Sequence, residues 1–245
     1  MKRTLITVNA FFKHIILLAR PHIFLGFLAK PFLFFSNVIS LSRWISQQPK
    51  TGIFNDFFSL KRDYNKRYTL YQYVVDTQHL QDEAIDYLEL GVCGGQSFEW
   101  WLASNRNPAS TFYGFDTFEG LPENWGVFFN KGDMSAAVPQ LTDTRAEFIK
   151  GLFQQTLPPF LQTHALDNGK RKILHLDADL FSSTLFSLAM LFPYLKKGDI
   201  LFFDEFNVPN HEFFALKTFT DSFYIQTELI GAVNNYYQVA LIVKD

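Results

Sequence analysis

The strongest constraint on the fold is an alternation of short apolar runs with helical stretches between residues 84 and 245. The apolar runs have the length of buried strands and are 84–92, 110–116, 146–151, 171–179, 199–206, 223–231 and 235–245. Helical patterns occupy 96–104, 156–161, 182–195 and 211–222. Strands that alternate with helices indicate a parallel, doubly wound α/β sheet, which binds ligands beyond the carboxyl ends of its strands. We expect the last two runs to close this sheet as a hairpin.

Charge divides the chain into parts that we expect to meet different surroundings. Residues 1–50 carry a net charge of +7 with no Asp or Glu, whereas the rest of the chain carries −9. Residues 51–83 have mixed charges and are expected to form a helical cap, and 84–245 the α/β domain. The single Cys93 excludes an internal disulfide. One free cysteine is typical of a reducing compartment, so we expect a cytoplasmic protein.

The N-terminal segment is apolar and rich in Phe. Lys13, Arg20 and Lys30 interrupt it, and its longest uncharged run is 31–42. A membrane-spanning helix needs about 20 apolar residues, so a span is not favoured. A signal peptide would need a cleaner apolar core. Two interpretations stay open: helices that lie in a membrane interface, and helices that pack on the fold or on a second subunit.

A glycine-rich loop follows the first predicted strand. It reads E-x-G-x-x-G-G-x-S and contains Glu89, Gly91, Gly94, Gly95 and Ser97. Glycines between a strand and a helix allow a tight turn and let a ligand approach the backbone. The pattern differs from the G-x-G-x-x-G of dinucleotide binding. A carboxylate beside the loop suits the ammonium and sulfonium charges of S-adenosylmethionine; the alternative is an ordinary glycine turn with a surface Glu.

Residues after the next two strands extend the predicted cofactor site. Asp116, followed by Thr117, ends the second strand 27 residues after Glu89. A carboxylate there accepts hydrogen bonds from both ribose hydroxyls, which indicates an adenosine nucleoside but not a particular cofactor. The alternative for Asp116 is a helix N-cap. Gly151 and Phe153 follow the third strand and are expected beside the adenine, although an aromatic residue there also suits the core.

Paired carboxylates end the fourth and fifth predicted strands, as Asp177 with Asp179 and as Asp204 with Glu205. Four acids in one crevice repel one another unless a cation neutralises them, and oxygen ligands without His or Cys favour Mg²⁺. A metal-bound hydroxyl loses its proton more easily, and a free carboxylate can accept that proton. His175 shares their face by strand alternation and is a second candidate base or a core histidine. Helix caps are the alternative for the acids.

The segments that carry these residues resemble the macrocin O-methyltransferase family, which includes sugar and aminocoumarin O-methyltransferases. They are YLELGVCGGQSFEWW, FYGFDTFEGLPENW, GLFQQTLPPFL, LHLDADLFSST and DILFFDEF. The resemblance covers roughly residues 60–245. It implies a Rossmann-like class I methyltransferase fold with a mostly parallel seven-stranded sheet and a C-terminal antiparallel hairpin. The helical N-terminal extension that we also expect has no counterpart in the family. It also implies S-adenosylmethionine and Mg²⁺ as cofactors.

The resemblance further implies roles for single residues. Asp177, Asp204 and Glu205 look like the metal ligands, and Asp179 looks like the general base. The cofactor contacts it implies are Glu89, Gly91, Ser97 and Asp116. Glu205 and Phe181 depart from the Asp and Tyr that are common in the family.

The implied partner is a glycosyl or polyhydroxylated small molecule. We expect a homo-oligomer, no nucleic-acid partner and, under the interfacial interpretation, contact of residues 1–50 with a membrane surface. Two other classes remain as alternatives: an NAD-dependent oxidoreductase and a non-catalytic binding module. The oxidoreductase would need the phosphate-binding glycine loop, and a binding module would not be expected to keep four clustered acids.

Overall fold

A sheet of eight strands forms the centre of the computed structural model, which describes residues 2–244. The strands are β1 (Phe54–Asn55), β2 (Ile85–Leu90), β3 (Thr111–Asp116), β4 (Ala146–Lys150), β5 (Arg171–Leu176), β6 (Ile200–Phe203), β7 (Thr227–Val233) and β8 (Gln238–Val243). The helices are α1 (Lys2–Leu18), α2 (His22–Leu25), α3 (Ala29–Ser46), α4 (Lys66–Thr77), α5 (Gln96–Ser104), α6 (Phe153–Thr163), α7 (Phe181–Leu191) and α8 (Glu212–Phe223). Short 3₁₀ turns follow α2 and α7.

The strand order is β1-β7-β8-β6-β5-β2-β3-β4. β8 is antiparallel to both of its neighbours, and the other strands run parallel to one another. The predicted mostly parallel sheet with a C-terminal antiparallel pair is therefore confirmed. The sheet has one strand more than expected, because β1 pairs with β7 through Phe54 and Asn55. A two-residue strand is too short to show a periodic pattern in the sequence.

Side chains that alternate along each strand build two apolar layers, one on each face of the sheet. On β6, Phe202 packs towards α4 and α5, and Phe203 packs towards α6, α7 and α8. Every residue of β2 is buried. Burial on both faces explains why the central strands read as continuous apolar runs, since helices cover a parallel sheet on both sides.

The strands that follow β2 in the chain are added first on one side of it and then on the other, so the strand order changes direction between β2 and β5. The chain moves from β2 through β3 to β4 and then returns to place β5 on the other side of β2. The backbone N–H of Asp177 donates to the carbonyl of Leu90 at 3.0 Å. A Cβ atom on Gly91, whose φ is +103°, would lie 1.8 Å from the carbonyl oxygen of Asp177. Only glycine fits this contact, and the crevice beyond it is the ligand position expected for such a sheet.

The N-terminal helices contact the domain through one short stretch. Asn37 and Leu41 on α3 are buried, whereas α1 and α2 contain no buried residue. Trp44 packs against the rings of Phe206, at 4.9 Å, and Tyr236, at 6.1 Å. The packing interpretation therefore applies to the second half of α3 only. Among the described residues, one helical stretch, His22–Ser46, is long and apolar enough to cross a membrane by length and composition.

Trp101 joins three elements of the core, so its truncation tests this packing. Its ring lies 5.4 Å from Tyr87 on β2, 5.6 Å from Tyr71 on α4 and 5.1 Å from Phe202 on β6. Trp101→Ala should lower the free energy of unfolding by about 3–5 kcal/mol because it leaves a large cavity. Trp101→Phe should cost less, since the buried indole N–H has no hydrogen-bond partner to lose. Urea denaturation followed by circular dichroism measures both values, and equal costs would contradict this packing.

Candidate active site

A cavity lies outside the carboxyl ends of β2 and β5. It encloses about 1020 Å³, part of which is open to solvent. Its walls come from the loop after β2, the ends of β3, β5 and β6, the start of α6 and the residues around the start of α4. The predicted site residues that line it are Gly91, Gly94, Ser97, Asp116, Thr117, Phe153, Asp177, Asp179 and Glu205. Residues far apart in the chain therefore meet where the sheet topology places a ligand.

Asp116 organises the glycine loop. One of its carboxylate oxygens accepts the backbone N–H groups of Val92, at 2.9 Å, and Cys93, at 2.7 Å. The other accepts the N–H of Phe118 at 2.7 Å. No helix begins at this point, so Asp116 is not a helix N-cap. A carboxylate has about four acceptor positions, which leaves capacity for a ligand hydroxyl on this side of the cavity.

Glu89 lies behind the cavity wall and not in it. Its side chain is completely buried, with Ser97 Oγ donating to Oε1 at 2.6 Å and the Tyr87 hydroxyl donating to Oε2 at 2.5 Å. Burial raises the pKa of Glu89 to about 8, although both hydrogen bonds act in the opposite direction. The expected direct contact between Glu89 and a ligand is therefore not supported. Ser97, which lines the cavity, stands between them.

Two of the predicted glycines shape the backbone without lining the cavity. Gly95 caps α5 with φ +82°, and a Cβ there would lie 2.7 Å from Pro139. Gly151 has φ +144°, and a Cβ there would lie 2.9 Å from Thr156. Their positions explain the need for glycine in both turns, but the structure does not place them against a ligand.

His175 is a core residue, which is the second of the two interpretations that the sequence left open for it. It is completely buried, with Nδ1 at 2.8 Å from the Tyr87 hydroxyl and Nε2 at 3.2 Å from the Tyr71 hydroxyl. Burial, followed by the nearby charge of Arg67, lowers the pKa of His175 to about 3. A neutral imidazole held by two tyrosines and absent from the cavity wall has a structural role.

Three acidic side chains converge at one end of the cavity. Ligand atoms of Asp177, Asp179 and Glu205 lie within 4.8 Å of one another. Burial and the neighbouring carboxylates raise the pKa of Asp179 to about 7 and hold the other two well above their usual range. Glu205 Oε2 has no hydrogen-bond partner among the residues that the structure describes. Asp179 also adopts φ +57°, a strained backbone conformation of the kind that concentrates at functional sites. A cluster of oxygen ligands with an unsatisfied buried oxygen fits a hard divalent cation.

Asp204 turns away from this acidic triad towards the helical cap. It is completely buried, and its Oδ2 accepts the Tyr64 hydroxyl at 2.5 Å and Arg67 at 3.4 Å. The Tyr71 hydroxyl lies 3.4 Å from its other oxygen. The predicted ligand set of Asp177, Asp204 and Glu205 is thus not the set that the structure brings together. Asp179 lies beside Asp177 and Glu205 instead, whereas Asp204 is paired with cap residues.

Three functional-site residues were missed at the sequence level. Tyr64 and Arg67 line the cavity, and Arg67 is 6% exposed with its guanidinium 4.2 Å from the Tyr64 ring. Glu212, at the start of α8, is completely buried and accepts the backbone N–H of Glu205 at 2.9 Å. The helical pattern of 66–77 shows which side of α4 is buried, but no local signal indicates that Arg67 faces a carboxylate from β6.

The chain resembles known methyltransferases in sequence and in fold. Residues 88–206 match a family described as a methyltransferase domain. A tetracenomycin relative from Streptomyces olivaceus, 8-demethyl-8-(2,3-dimethoxy-alpha-L-rhamnosyl)-tetracenomycin-C 4'-O-methyltransferase, is 26% identical over 165 residues. The match covers 58% of this chain and 61% of the relative. The matched residues contain the glycine loop and both pairs of carboxylates, so this part of the chain is similar to a methyltransferase domain. The family resemblance drawn from the sequence motifs is confirmed.

Solved structures of class I methyltransferases share the fold of this one. The calicheamicin methyltransferase CalS11 has a TM-score of 0.54 at 20% identity, over 84% of this chain and 91% of CalS11. The O-methyltransferase NovP has a TM-score of 0.51 at 20% identity, over 74% of this chain and 79% of NovP. At this level of identity the likeness establishes the fold alone. The NAD-dependent oxidoreductase alternative is wrong, because the matching family transfers methyl groups.

The buried carboxyl of Glu89 should make stability fall as pH rises. The unfolded chain loses this proton near the usual pKa of 4.5, whereas the folded chain holds it to about 8. The stabilising contribution is complete below the first value and lost above the second. Glu89→Gln imitates the neutral carboxyl, so it should be more stable than the natural protein by roughly 4 kcal/mol at pH 8 but by less than about 1 kcal/mol at pH 5.

Thermal unfolding across pH 5–8, without divalent cations, measures this effect. Glu99→Gln on the exposed side of α5 is the matched control and should leave the pH dependence unchanged. If Glu89→Gln and the natural protein lose stability in parallel as pH rises, the proton on Glu89 is not the cause.

Proposed function

We propose that the protein is a metal-assisted O-methyltransferase that moves the methyl group of S-adenosylmethionine to a hydroxyl of a sugar or polyhydroxylated small molecule. The observation that carries this proposal is the triad of Asp177, Asp179 and Glu205, whose ligand atoms lie within 4.8 Å in the cavity that also contains the glycine loop. A cofactor on the loop and an acceptor hydroxyl at the triad would occupy neighbouring parts of one cavity.

The polar residues of the loop support binding of a cationic nucleoside. Ser97 Oγ donates its proton to Glu89, so its lone pairs face the cavity and can accept the cofactor ammonium group. Asp116 has acceptor capacity left for a ribose hydroxyl. Phe153, at the start of α6, offers an apolar wall for the adenine. The carboxylates around this cavity favour the positive sulfonium centre over a phosphate-bearing ligand.

The acidic triad supports a divalent cation at the acceptor end. Asp177 and Glu205 would hold it, and Mg²⁺ suits these carboxylate oxygens. When bound, such an ion would lower the proton affinity of an acceptor hydroxyl and orient it. Asp204 stays paired with Arg67 and contributes negative charge behind the triad.

Asp179 is the residue that we propose as general base. Its pKa of about 7 is close to the value at which a carboxylate is both ionised and basic enough to accept a proton near neutral pH. It would take the proton of the acceptor hydroxyl. The acceptor oxygen then forms a bond to the methyl carbon as the carbon–sulfur bond breaks, and the electron pair of that bond stays on sulfur. Positioning of the two groups in one cavity supplies much of the rate.

The proposed acceptor class has support from the Streptomyces olivaceus relative, whose name describes methylation on a rhamnosyl group. The chain spans 61% of that relative, so the activity and the acceptor are both proposals here. The cytoplasmic location, the homo-oligomer and the division at residues 50 and 83 stay predictions.

Calorimetric titration with S-adenosylmethionine, with and without Mg²⁺, tests the cofactor and metal assignments. We expect saturable binding of S-adenosylmethionine in both conditions, because the loop and Asp116 are formed without the cation. We also expect Mg²⁺ to bind the protein in the absence of S-adenosylmethionine. This Mg²⁺ binding should be lost in Glu205→Gln. Folded protein that does not bind S-adenosylmethionine would refute the proposal.

Asp179→Asn separates a base from a metal ligand. As a base, Asp179 is needed for turnover only, so the variant should lose at least about 100-fold in kcat and keep its affinity for S-adenosylmethionine and Mg²⁺. The rate of the natural protein should rise with pH and then level off, because the carboxylate must be ionised to accept the proton. Asp76→Asn, on the exposed face of α4, is the control. Loss of Mg²⁺ binding in Asp179→Asn would make Asp179 a ligand and contradict its role as base.

A further inference from the structure

Residues 2–36 form a helical arm whose apolar side chains face outwards. Among the described residues 2–36 none is buried, and Phe11, Phe24 and Phe27 are 61%, 72% and 76% exposed. The arm carries five Lys and Arg residues and no Asp or Glu. A soluble domain rarely exposes such a continuous apolar surface, so this arm requires something to cover it.

The arm leaves the domain at the same edge of the sheet as the cavity. It continues into the second half of α3, where Asn37 Nδ2 donates to Asn210 Oδ1 at 2.9 Å and Trp44 packs on Phe206. Asn210 and Phe206 both follow β6 at its carboxyl end, the end that also carries Glu205. The mouth of the cavity and the base of the arm are therefore neighbours.

The loop after β1 adds exposed apolar side chains beside the arm. Phe57, Phe58 and Leu60 are 52%, 70% and 94% exposed. The Phe57 ring lies 5.5 Å from Tyr236, whose ring lies 6.1 Å from Trp44. Since β1 runs parallel to β7, this loop also emerges at the carboxyl edge of the sheet.

The insertion after β3 adds a third exposed apolar group. Val127 and Phe128 are 88% and 85% exposed. The adjoining Trp125 ring lies 6.4 Å from His211, the neighbour of Asn210, which is bonded to α3. We use the name apolar rim for the arm (2–36) together with Phe57, Phe58, Leu60, Val127 and Phe128.

We propose that the apolar rim docks on a lipid bilayer with anionic headgroups, so that the active-site cavity opens onto the membrane surface. The apolar side chains would enter the boundary between headgroups and acyl chains, where amphipathic helices bind. The charge of the arm matches this partner, because Lys and Arg side chains near an anionic membrane surface are attracted to it. A second copy of the arm is a poorer match, since it would bring like charges together.

The arm lies in the interface and does not cross the bilayer. In the last part of the apolar stretch, Asn37 and Trp44 contact the domain, so residues 37–46 stay attached to it. The preceding helical residues, 22–36, extend only about 22 Å, whereas the hydrocarbon core of a bilayer is roughly 30 Å thick. α1 carries Lys13 in its interior and Lys2 and Arg3 at its start. A flat orientation keeps these charges in the headgroup layer.

Docking at this rim also limits which molecules can serve as the methyl acceptor. This step rests on the proposed function. A cavity that faces the membrane receives hydroxyl groups held close to the bilayer. The acceptor is then an amphiphile, with its sugar or polyol in the cavity and its apolar part in the lipid.

Vesicle flotation of the full chain tests the docking surface independently of activity. The protein should float with vesicles of phosphatidylcholine containing 30% phosphatidylglycerol, and much less with pure phosphatidylcholine or in 0.5 M NaCl. The double variant Phe11→Ser with Phe128→Ser should lower the partition coefficient by at least about tenfold, since two large side chains no longer enter the bilayer. Tyr224→Ser is the matched control, because Tyr224 is 89% exposed at the opposite edge of the sheet, before β7. Retained binding of S-adenosylmethionine shows that each variant is folded.

Three results would overturn the docking proposal. One is absence of flotation with anionic vesicles while S-adenosylmethionine still binds. Another is an oligomer that dissociates when Phe11 is replaced and does not float, which would mean that a second copy covers the arm. The third is a chain that resists extraction by alkaline carbonate, which would mean a membrane span.

The acceptor class is tested with washed membranes of the source cells and methyl-labelled S-adenosylmethionine. Label that enters the organic phase of a chloroform–methanol extract supports an amphiphilic acceptor. Label in water-soluble products alone refutes this acceptor class and leaves the methyltransferase function standing. Label in neither phase, from protein that binds S-adenosylmethionine and floats, counts against the proposed function itself.

Discussion

Repulsion among buried carboxyl groups is the constraint on which the rest of the site depends. Six of them meet at the carboxyl edge of the sheet: Glu89, Asp177, Asp179, Asp204, Glu205 and Glu212. Burial raises the pKa of every one. A buried acid must be protonated, or it must lie next to a positive charge that balances its own. The protein pairs Asp204 with Arg67. Within residues 2–244 no cationic side chain forms an ion pair with Asp177, Asp179 or Glu205, so this end of the cavity favours a positively charged ligand.

The helical cap is part of the active site for the same reason. Arg67 and Tyr64 reach Asp204 from the start of α4, while Tyr71 of the same helix contacts both His175 and Asp204. These contacts join the cap to the ends of β5 and β6. Packing of α4 on the sheet therefore stabilises the fold and also decides which carboxylates remain available. Stability and function are linked through one set of buried polar groups.

Topology explains why the apolar rim and the cavity share one edge. The loops that follow parallel strands emerge together at the carboxyl edge, so the segments after β1, β3 and β6 surround the same opening. The loop at Phe57, the insertion at Phe128 and the docking point of α3 at Asn210 belong to these segments. A surface that binds a partner there is automatically close to the chemistry, because the scaffold places every variable segment around the ligand.

The sequence by itself determined that the sheet is mostly parallel with a C-terminal antiparallel pair. It also determined the position of the glycine loop and the edge of the sheet at which the acids gather. These features are local, because an apolar run such as 85–90 and a carboxylate at its end are read from neighbouring residues. Tertiary structure decided that Asp179 and not Asp204 joins the triad, that Ser97 stands in front of Glu89, and that His175 belongs to the core. Those outcomes depend on contacts such as Tyr64 with Asp204, which lie 140 residues apart in the chain. Periodicity assigns a side chain to a face of the sheet, but its hydrogen-bond partner depends on which distant segment packs there.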